Sequence, residues 1–116
     1  MAEIQVGLIG YGVAGQVFHA PVIQAVPQLR LTKVVERHTS AAQQRYPAVA
    51  VVRDSAAIMA DPAIELVVIA TPNSSHFELA RQALEADKHV VVEKPFTVTS
   101  AQAQTLIELA EARNRI

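Results

Sequence analysis

Five short apolar blocks punctuate the chain. Ile4 to Ile9, Leu31 to Val35, Ala48 to Val52, Ile64 to Ala70 and His89 to Val92 are each four to seven residues long and mostly bounded by polar or turn-forming residues. Ile64 to Ala70 is nearly all apolar, and Ile4 to Ile9 is apolar on both sides of Gly7. Strands of that kind need cover on both faces, which helices supply in a parallel sheet.

Between the blocks the apolar spacing is helical. After Gly12, the residues Val13, Val17, Val22, Ile23 and Val26 would turn toward the sheet, with a kink or restart at Pro21 because proline removes an N–H and clashes with the preceding turn. Thr39 or Ser40 would cap a short helix through Arg45 that Pro47 ends, and Asp54 or Ser55 would cap another holding Ala56, Ile58 and Met59. His76 to Ala86 packs Phe77, Ala80, Ala83 and Leu84, after which Asp87 and Lys88 turn the chain. Thr99 and Gln102 have the spacing of a capping box ahead of a last helix, Ala101 to Arg113, with Ala103, Leu106, Ile107 and Ala110 as its apolar stripe. Strand and helix alternating through short loops predict an α/β fold: a doubly wound parallel sheet of order 3-2-1-4-5 with helices on both faces.

All four glycines lie between Gly7 and Gly15, and Gly10, Gly12 and Gly15 have the spacing G-x-G-x-x-G directly after the first strand. Glycines so placed allow a tight turn, an open approach for a pyrophosphate and close contact of helix with strand. The helix starting near Val13 would aim its unsatisfied N–H groups at that phosphate. The second strand ends on Glu36, 21 residues after Gly15, near the separation at which an acid reaches the adenosine ribose hydroxyls. The glycine motif alone is weak, but strand, turn, helix, strand and acid together describe a Rossmann-like dinucleotide site. Against it stands a glycine-rich turn that binds nothing.

Composition narrows the partners. A chain of 116 residues with a net charge of −1 and ten scattered Lys and Arg advertises no basic face, so no nucleic acid or anionic membrane partner is expected. Without cysteine there is neither a disulfide nor a thiolate ligand, and with no clustered His or carboxylate set no metal is expected. The opening MAEIQV lacks the basic patch and long apolar segment of a secretory leader, and the apolar runs are too short to span a bilayer. These features point to a cytoplasmic location. The pattern stops at Ile116, where another strand could open, which suggests a fragment: a single dinucleotide-binding domain over 1–116 whose partner domain is absent.

In a doubly wound sheet the ligand lies beyond the carboxyl ends of the strands where the order reverses, between strands one and four. The loops there are Gly10 to Gly15 and Thr71 to Ser75, with Glu93 to Pro95 next door. Glu36 suits ribose hydroxyls and so NAD, whereas Arg37 and Ser40 would suit the phosphate of NADP; NAD is slightly favoured, and Arg37 could equally be a solvated charge. Thr71, Pro72 and Asn73 either line the cofactor channel or merely form a turn. His76 either orients a carboxamide or caps its helix. Lys94, held beside Glu93 and Pro95, can stabilise a developing alkoxide or help deprotonate an alcohol; otherwise it forms a surface pair with Glu93 worth about 0–1 kcal/mol. His19 packs under the glycine loop or joins the rim of the site, while His38 is read as solvated and His89 as structural.

With these residues in hand the chain resembles the N-terminal cofactor domain of the Gfo/Idh/MocA oxidoreductases, the family of glucose-fructose oxidoreductase and inositol 2-dehydrogenase. The resemblance covers all 116 residues, and the pairing of an ATPN-x-x-H stretch, Ala70 to His76, with HVVVEKPF, His89 to Phe96, is more specific than the glycines. It implies that Gly10, Tyr11, Gly12, Val13, Ala14 and Gly15 wrap NAD or NADP and that Glu36 and Arg37 govern the choice between them. It further implies that Thr71, Pro72, Asn73 and His76 contact the cofactor, and that Glu93 and Lys94 face nicotinamide and substrate, with Lys94 assisting proton transfer. The Lys94–Pro95 bond is left open as cis or trans.

Members are NAD(P)-dependent dehydrogenases of sugars, inositols and related polyols or their keto forms. A second domain supplies most substrate contacts and commonly the homo-oligomer interface, so this chain alone is expected to bind nucleotide and turn over little or nothing. The alternative is a regulatory or sensor module that binds the dinucleotide without turnover, as in a yeast repressor of galactose genes. A coenzyme A site would give Glu36 and Lys94 no obvious work.

Overall fold

The computed structural model describes residues 3–12, 14–94, 97 and 99–116; the side chains of Ala14, Val17 and Asn73 also lie outside the description. Val13 and Pro95, both singled out from the sequence, are therefore not described.

The strands are β1 (Ile4–Ile9), β2 (Leu29–Val35), β3 (Ala50–Val52), β4 (Ile64–Ile69) and β5 (His89–Val92). All pair in parallel in the order β3-β2-β1-β4-β5, the doubly wound arrangement expected from the sequence. Helices α1 (Ala20–Ala25), α2 (Ala41–Arg45), α3 (Ala56–Met59) and α4 (His76–Glu85) fill the four crossovers, α5 (Ser100–Ala112) follows β5, and a π-helical segment, Ala14–His19, leads into α1. Thr99 caps α5, its hydroxyl oxygen accepting from the Gln102 amide at 3.1 Å.

Each sheet face carries its own core. Val6, Leu8, Leu31, Val34 and Val68 pack with Ala20 of α1 and Ala42 of α2 on one side. Ile9, Val35, Val67 and Ile69 pack with Ile58 of α3, Ala80, Ala83 and Leu84 of α4 and Leu106 of α5 on the other. Leu31 and Val34 share a face although three residues apart, because the β1–β2 register slips by one residue at Thr32. A matching slip at Glu65 puts Ile64 and Val67 together on the opposite face.

Four details depart from the sequence pattern, the first being that β3 starts at Ala50, two residues after the expected Ala48. β2 starts two residues before Leu31, since Leu29 and Arg30 pair with Ile4 and Gln5. Val22 is 59% exposed and Ala20 is seated in its place, while Ile23 is buried as expected, because the wider π turn shifts the helical phase ahead of α1. Ile107 is 46% exposed, and Leu109 joins Leu106 and Ala110 against the core in its place. Pro21 falls in the first turn of α1, where its missing N–H costs nothing, which is the restart expected there.

Candidate functional site

The carboxyl ends of four strands finish in one hydrogen-bonded row. Glu36 N–H donates to Val52 O (3.0 Å), Gly10 N–H to Val35 O (3.3 Å), Ala70 N–H to Ile9 O (2.9 Å) and Glu93 N–H to Ile69 O (3.1 Å). Glu36, Gly10, Ala70 and Glu93 thus stand side by side in neighbouring strands, spaced by roughly 4.8 Å each. The chemistry-bearing loops of the sequence all leave from this edge.

The glycine turn is built as its spacing implied. Gly10 has φ +99°, and a Cβ there would lie 2.8 Å from Ala70 O; one on Gly15 would lie 2.4 Å from Gly10 O. A Cβ on Gly12 would meet no atom within 4 Å. Two glycines therefore close the turn on itself, while the middle one presents bare backbone to open space. Gln16 secures the turn, its amide donating to Gly12 O at 2.9 Å and its side chain to Tyr11 O at 2.8 Å.

In front of Gly12 lies a cleft of about 790 Å³ between the ends of β1 and β4. Gly10, Tyr11, Gly12, Thr71 and Pro72 line it, together with Arg37 and with Arg53, a residue that sequence reasoning missed. The signal for Arg53 was its place directly after β3 on the same edge. The Tyr11 phenol is held above its ordinary pKa, chiefly by burial and then by Tyr46 and Glu36, and keeps its proton as a donor.

The Thr71 to His76 loop is a braced turn. Ser75 Oγ donates to Pro72 O (2.8 Å), so the 2.7 Å contact between the two hydroxyls has Thr71 as donor. His76 is 1% exposed, and its Nε2–H donates to Thr71 O at 2.8 Å. The buried imidazole holds the carbonyl of the loop rather than lining the cleft.

Glu36 and Glu93 are both occupied. Glu36 is 7% exposed; its Oε1 accepts from the Thr39 hydroxyl (2.5 Å) and its Oε2 from the Ala42 amide (2.8 Å). It thereby does the capping expected of Thr39 or Ser40, and Ser40 makes no side-chain cap bond. Glu93 Oε1 lies 2.7 Å from His19 Nε2, so its partner is His19, not Lys94. Lys94 is exposed beside the row. His38 is exposed, and His89 Nδ1 accepts from the Ile116 amide at 3.0 Å. Among the described residues no group of three or more His, Asp or Glu could hold a metal ion, and no helix is long and apolar enough to cross a membrane.

A family model described as an oxidoreductase family with an NAD-binding Rossmann fold matches residues 4–116. The chain belongs to the Gfo/Idh/MocA oxidoreductase family. It is 48% identical over 114 residues to the oxidoreductase YdgJ of Escherichia coli (strain K12), covering 98% of this chain and 33% of that protein. To scyllo-inositol 2-dehydrogenase (NADP(+)) IolW of Bacillus subtilis (strain 168) it is 37% identical over 110 residues, or 95% of this chain and 31% of that one.

Among solved structures, an oxidoreductase from Bacteroides fragilis superposes with a TM-score of 0.98 at 45% identity, covering 100% of this chain and 36% of the other. GenD2 from gentamicin A biosynthesis, in complex with NAD, gives 0.92 at 29% identity, over 100% and 34%. The chain thus spans about a third of the length of the relatives it matches. It is an NAD(P)-binding Rossmann domain of a family whose members are oxidoreductases and dehydrogenases.

Proposed function

We propose that this chain is the cofactor half of an NAD(P)-dependent oxidoreductase acting on a sugar, inositol or related polyol, or on the corresponding ketone. The observation that carries the reading is the glycine turn: Gly10 and Gly15 close it, and Gly12 leaves bare backbone facing the cleft at the switch between β1 and β4. A pyrophosphate can approach there without meeting a side chain. The cleft also has room for a flat adenine or nicotinamide beside Tyr11 and Pro72.

When bound, the dinucleotide supplies the hydride donor or acceptor. The chain's own residues do the rest. Gly10, Tyr11, Gly12, Val13, Ala14 and Gly15 are the residues that would wrap the pyrophosphate, and Thr71 and Pro72 line the cleft across from the turn, kept in shape by Ser75 and His76, with Asn73 as a further cofactor contact expected from the sequence. Lys94 stands one residue past the row on the neighbouring strand, where an ammonium can steady an alkoxide or hand a proton to it. Glu93, held by His19, fixes the backbone from which Lys94 projects. The relatives are about three times as long as this chain, which supports a further domain in the whole enzyme; substrate contacts and a homo-oligomer interface would belong to that domain.

The test is kinetic. In an enzyme that joins this domain to its substrate domain, Lys94→Ala should lower kcat by about 10²–10⁴ while cofactor affinity changes little. Equal loss of both would make Lys94 a cofactor-binding or structural residue. Cofactor binding with no turnover of any polyol would favour the regulatory reading instead.

A further inference from the structure

We infer that the ribose end of the cleft is built for the 2′-phosphate of NADP(H), with Arg53 and Arg37 as the selecting residues, and that Glu36 is a structural cap of α2 rather than a ribose acceptor. This rests on the nicotinamide-dinucleotide reading above and deepens it.

An acid at the end of β2 marks NAD only where its carboxylate is open to two ribose hydroxyls. Here both oxygens of Glu36 are engaged, one by the Thr39 hydroxyl and the other by the Ala42 amide. Ala42, in the first turn of α2, is fully buried against the core, and Ser40 makes no side-chain cap bond. Turning Glu36 toward a ribose would strand a buried N–H, a loss comparable to the hydrogen bonds gained. Glu36 is accordingly absent from the cleft wall, although its neighbours Val35 and Arg37 are on it.

What the wall presents instead is cationic. Arg53 Nη1 donates to Glu36 O at 2.9 Å and to Thr39 O, and Nη2 donates to Ser40 Oγ at 3.0 Å. These bonds pin the guanidinium across the loop that follows β2. Of its five N–H groups, Nε–H and one Nη2–H remain for a ligand, and the Ser40 hydroxyl, accepting from Arg53, keeps its own hydrogen to donate. Arg37 adds a second, exposed guanidinium on the same wall.

Of the carboxylates lining the cleft, Glu78 pairs with Arg81, and Asp54 Oδ1 accepts from the Ala56 amide at 2.9 Å; the Asp54 charge shares the wall with two guanidinium groups, those of Arg53 and Arg37. A pre-fixed guanidinium fork beside a second one recognises phosphate oxygens and gains little from a bare hydroxyl. Arg53 thus sets the cofactor choice from β3, on the far side of β2 from the glycine turn.

The test is a calorimetric titration of this 116-residue chain with NADPH and with NADH, and competition by adenosine 2′,5′-bisphosphate against 5′-AMP as probes of the ribose end alone. NADPH should bind at least tenfold more tightly than NADH, and the bisphosphate more tightly than 5′-AMP. Arg53→Ala should collapse that ratio mainly through lost NADPH affinity; Arg37→Ala should reduce it as well and serves as the second probe if Arg53→Ala fails to fold. Glu36→Gln should lower the melting temperature and leave the ratio in place. NADH binding as tightly as NADPH, or selective loss of NADH affinity in Glu36→Gln, would overturn the inference while leaving the dinucleotide site standing. Binding of neither cofactor by folded protein would overturn both.

Discussion

The Glu93 carboxylate sits 2.7 Å from the imidazole Nε2 of His19, joining the end of β5 to the helical segment that follows the glycine turn. The two residues are 74 positions apart in sequence, and both are partly buried. One bond thus couples the glycine turn, through the helical segment that follows it, to the backbone that carries Lys94. His19→Ala should raise the hydrogen-exchange rate of the Glu93 and Lys94 amides and cost about 1–2 kcal/mol of stability. Unchanged exchange at those amides would mean that the bond does not position the loop.

The glycines separate folding from binding. Gly15→Ala forces a Cβ to 2.4 Å from Gly10 O and should destabilise the domain. Gly12→Ala meets no protein atom within 4 Å, so its melting temperature should stay within a few degrees of the parent while dinucleotide affinity falls at least tenfold. Thermal melts and calorimetry on the two variants read out both effects. Retained affinity in Gly12→Ala would remove the pyrophosphate from that position.

Lys88 is 3% exposed at the opposite end of the sheet, where its ammonium donates to Asp61 O and Ile64 O, each at 2.7 Å. Burial pushes its pKa down, partly offset by Asp61. Lys88→Met would leave two carbonyls short of a donor and should cost about 2–3 kcal/mol, or roughly 8–12 °C in melting temperature. A loss under 1 kcal/mol would show that water replaces the ammonium.

Asp61 gives the acid limb of stability a definite source. Its hydrogen bond to Lys33, 2.9 Å away, and the Ala63 amide hold its carboxyl below the ordinary range. A carboxylate depressed on folding contributes stability that is complete above its unfolded pKa, near 4, and is lost as pH falls through the lower folded value. Urea unfolding at pH 7 and at successive values below 4 should show a steeper acid loss in the parent than in Asp61→Asn. Parallel curves would assign the acid sensitivity to other carboxylates.

Strand order, the glycine turn and the edge where the loops meet were legible because each follows from local spacing: apolar blocks, G-x-G-x-x-G, and polar clusters after strands. The destination of a long side chain was not. Spacing puts Glu36 at the end of β2 but does not say whether its carboxylate turns to the cleft or under α2, which depends on an α2 without a side-chain cap of its own. Arg53 follows the same edge rule as Glu36 and Glu93 but stands beside no motif. The seating of Val22 was misread because one π turn changes the helical phase, and nothing in the valine spacing signals that turn. Lys88 was read as a turn residue because its buried acceptors come from a segment more than 20 residues earlier.

The most direct test of the site is an amide NMR titration of this chain with NADPH, using backbone assignments. The resonances of Gly10, Tyr11, Gly12, Thr71 and Arg53, which line one cleft, should shift together and saturably. A second, apolar groove of about 340 Å³, lined by Leu84, Val90, Leu106, Ile107 and Ile116, should stay silent. Shifts confined to that groove, or none in a folded sample, would contradict a dinucleotide site between β1 and β4.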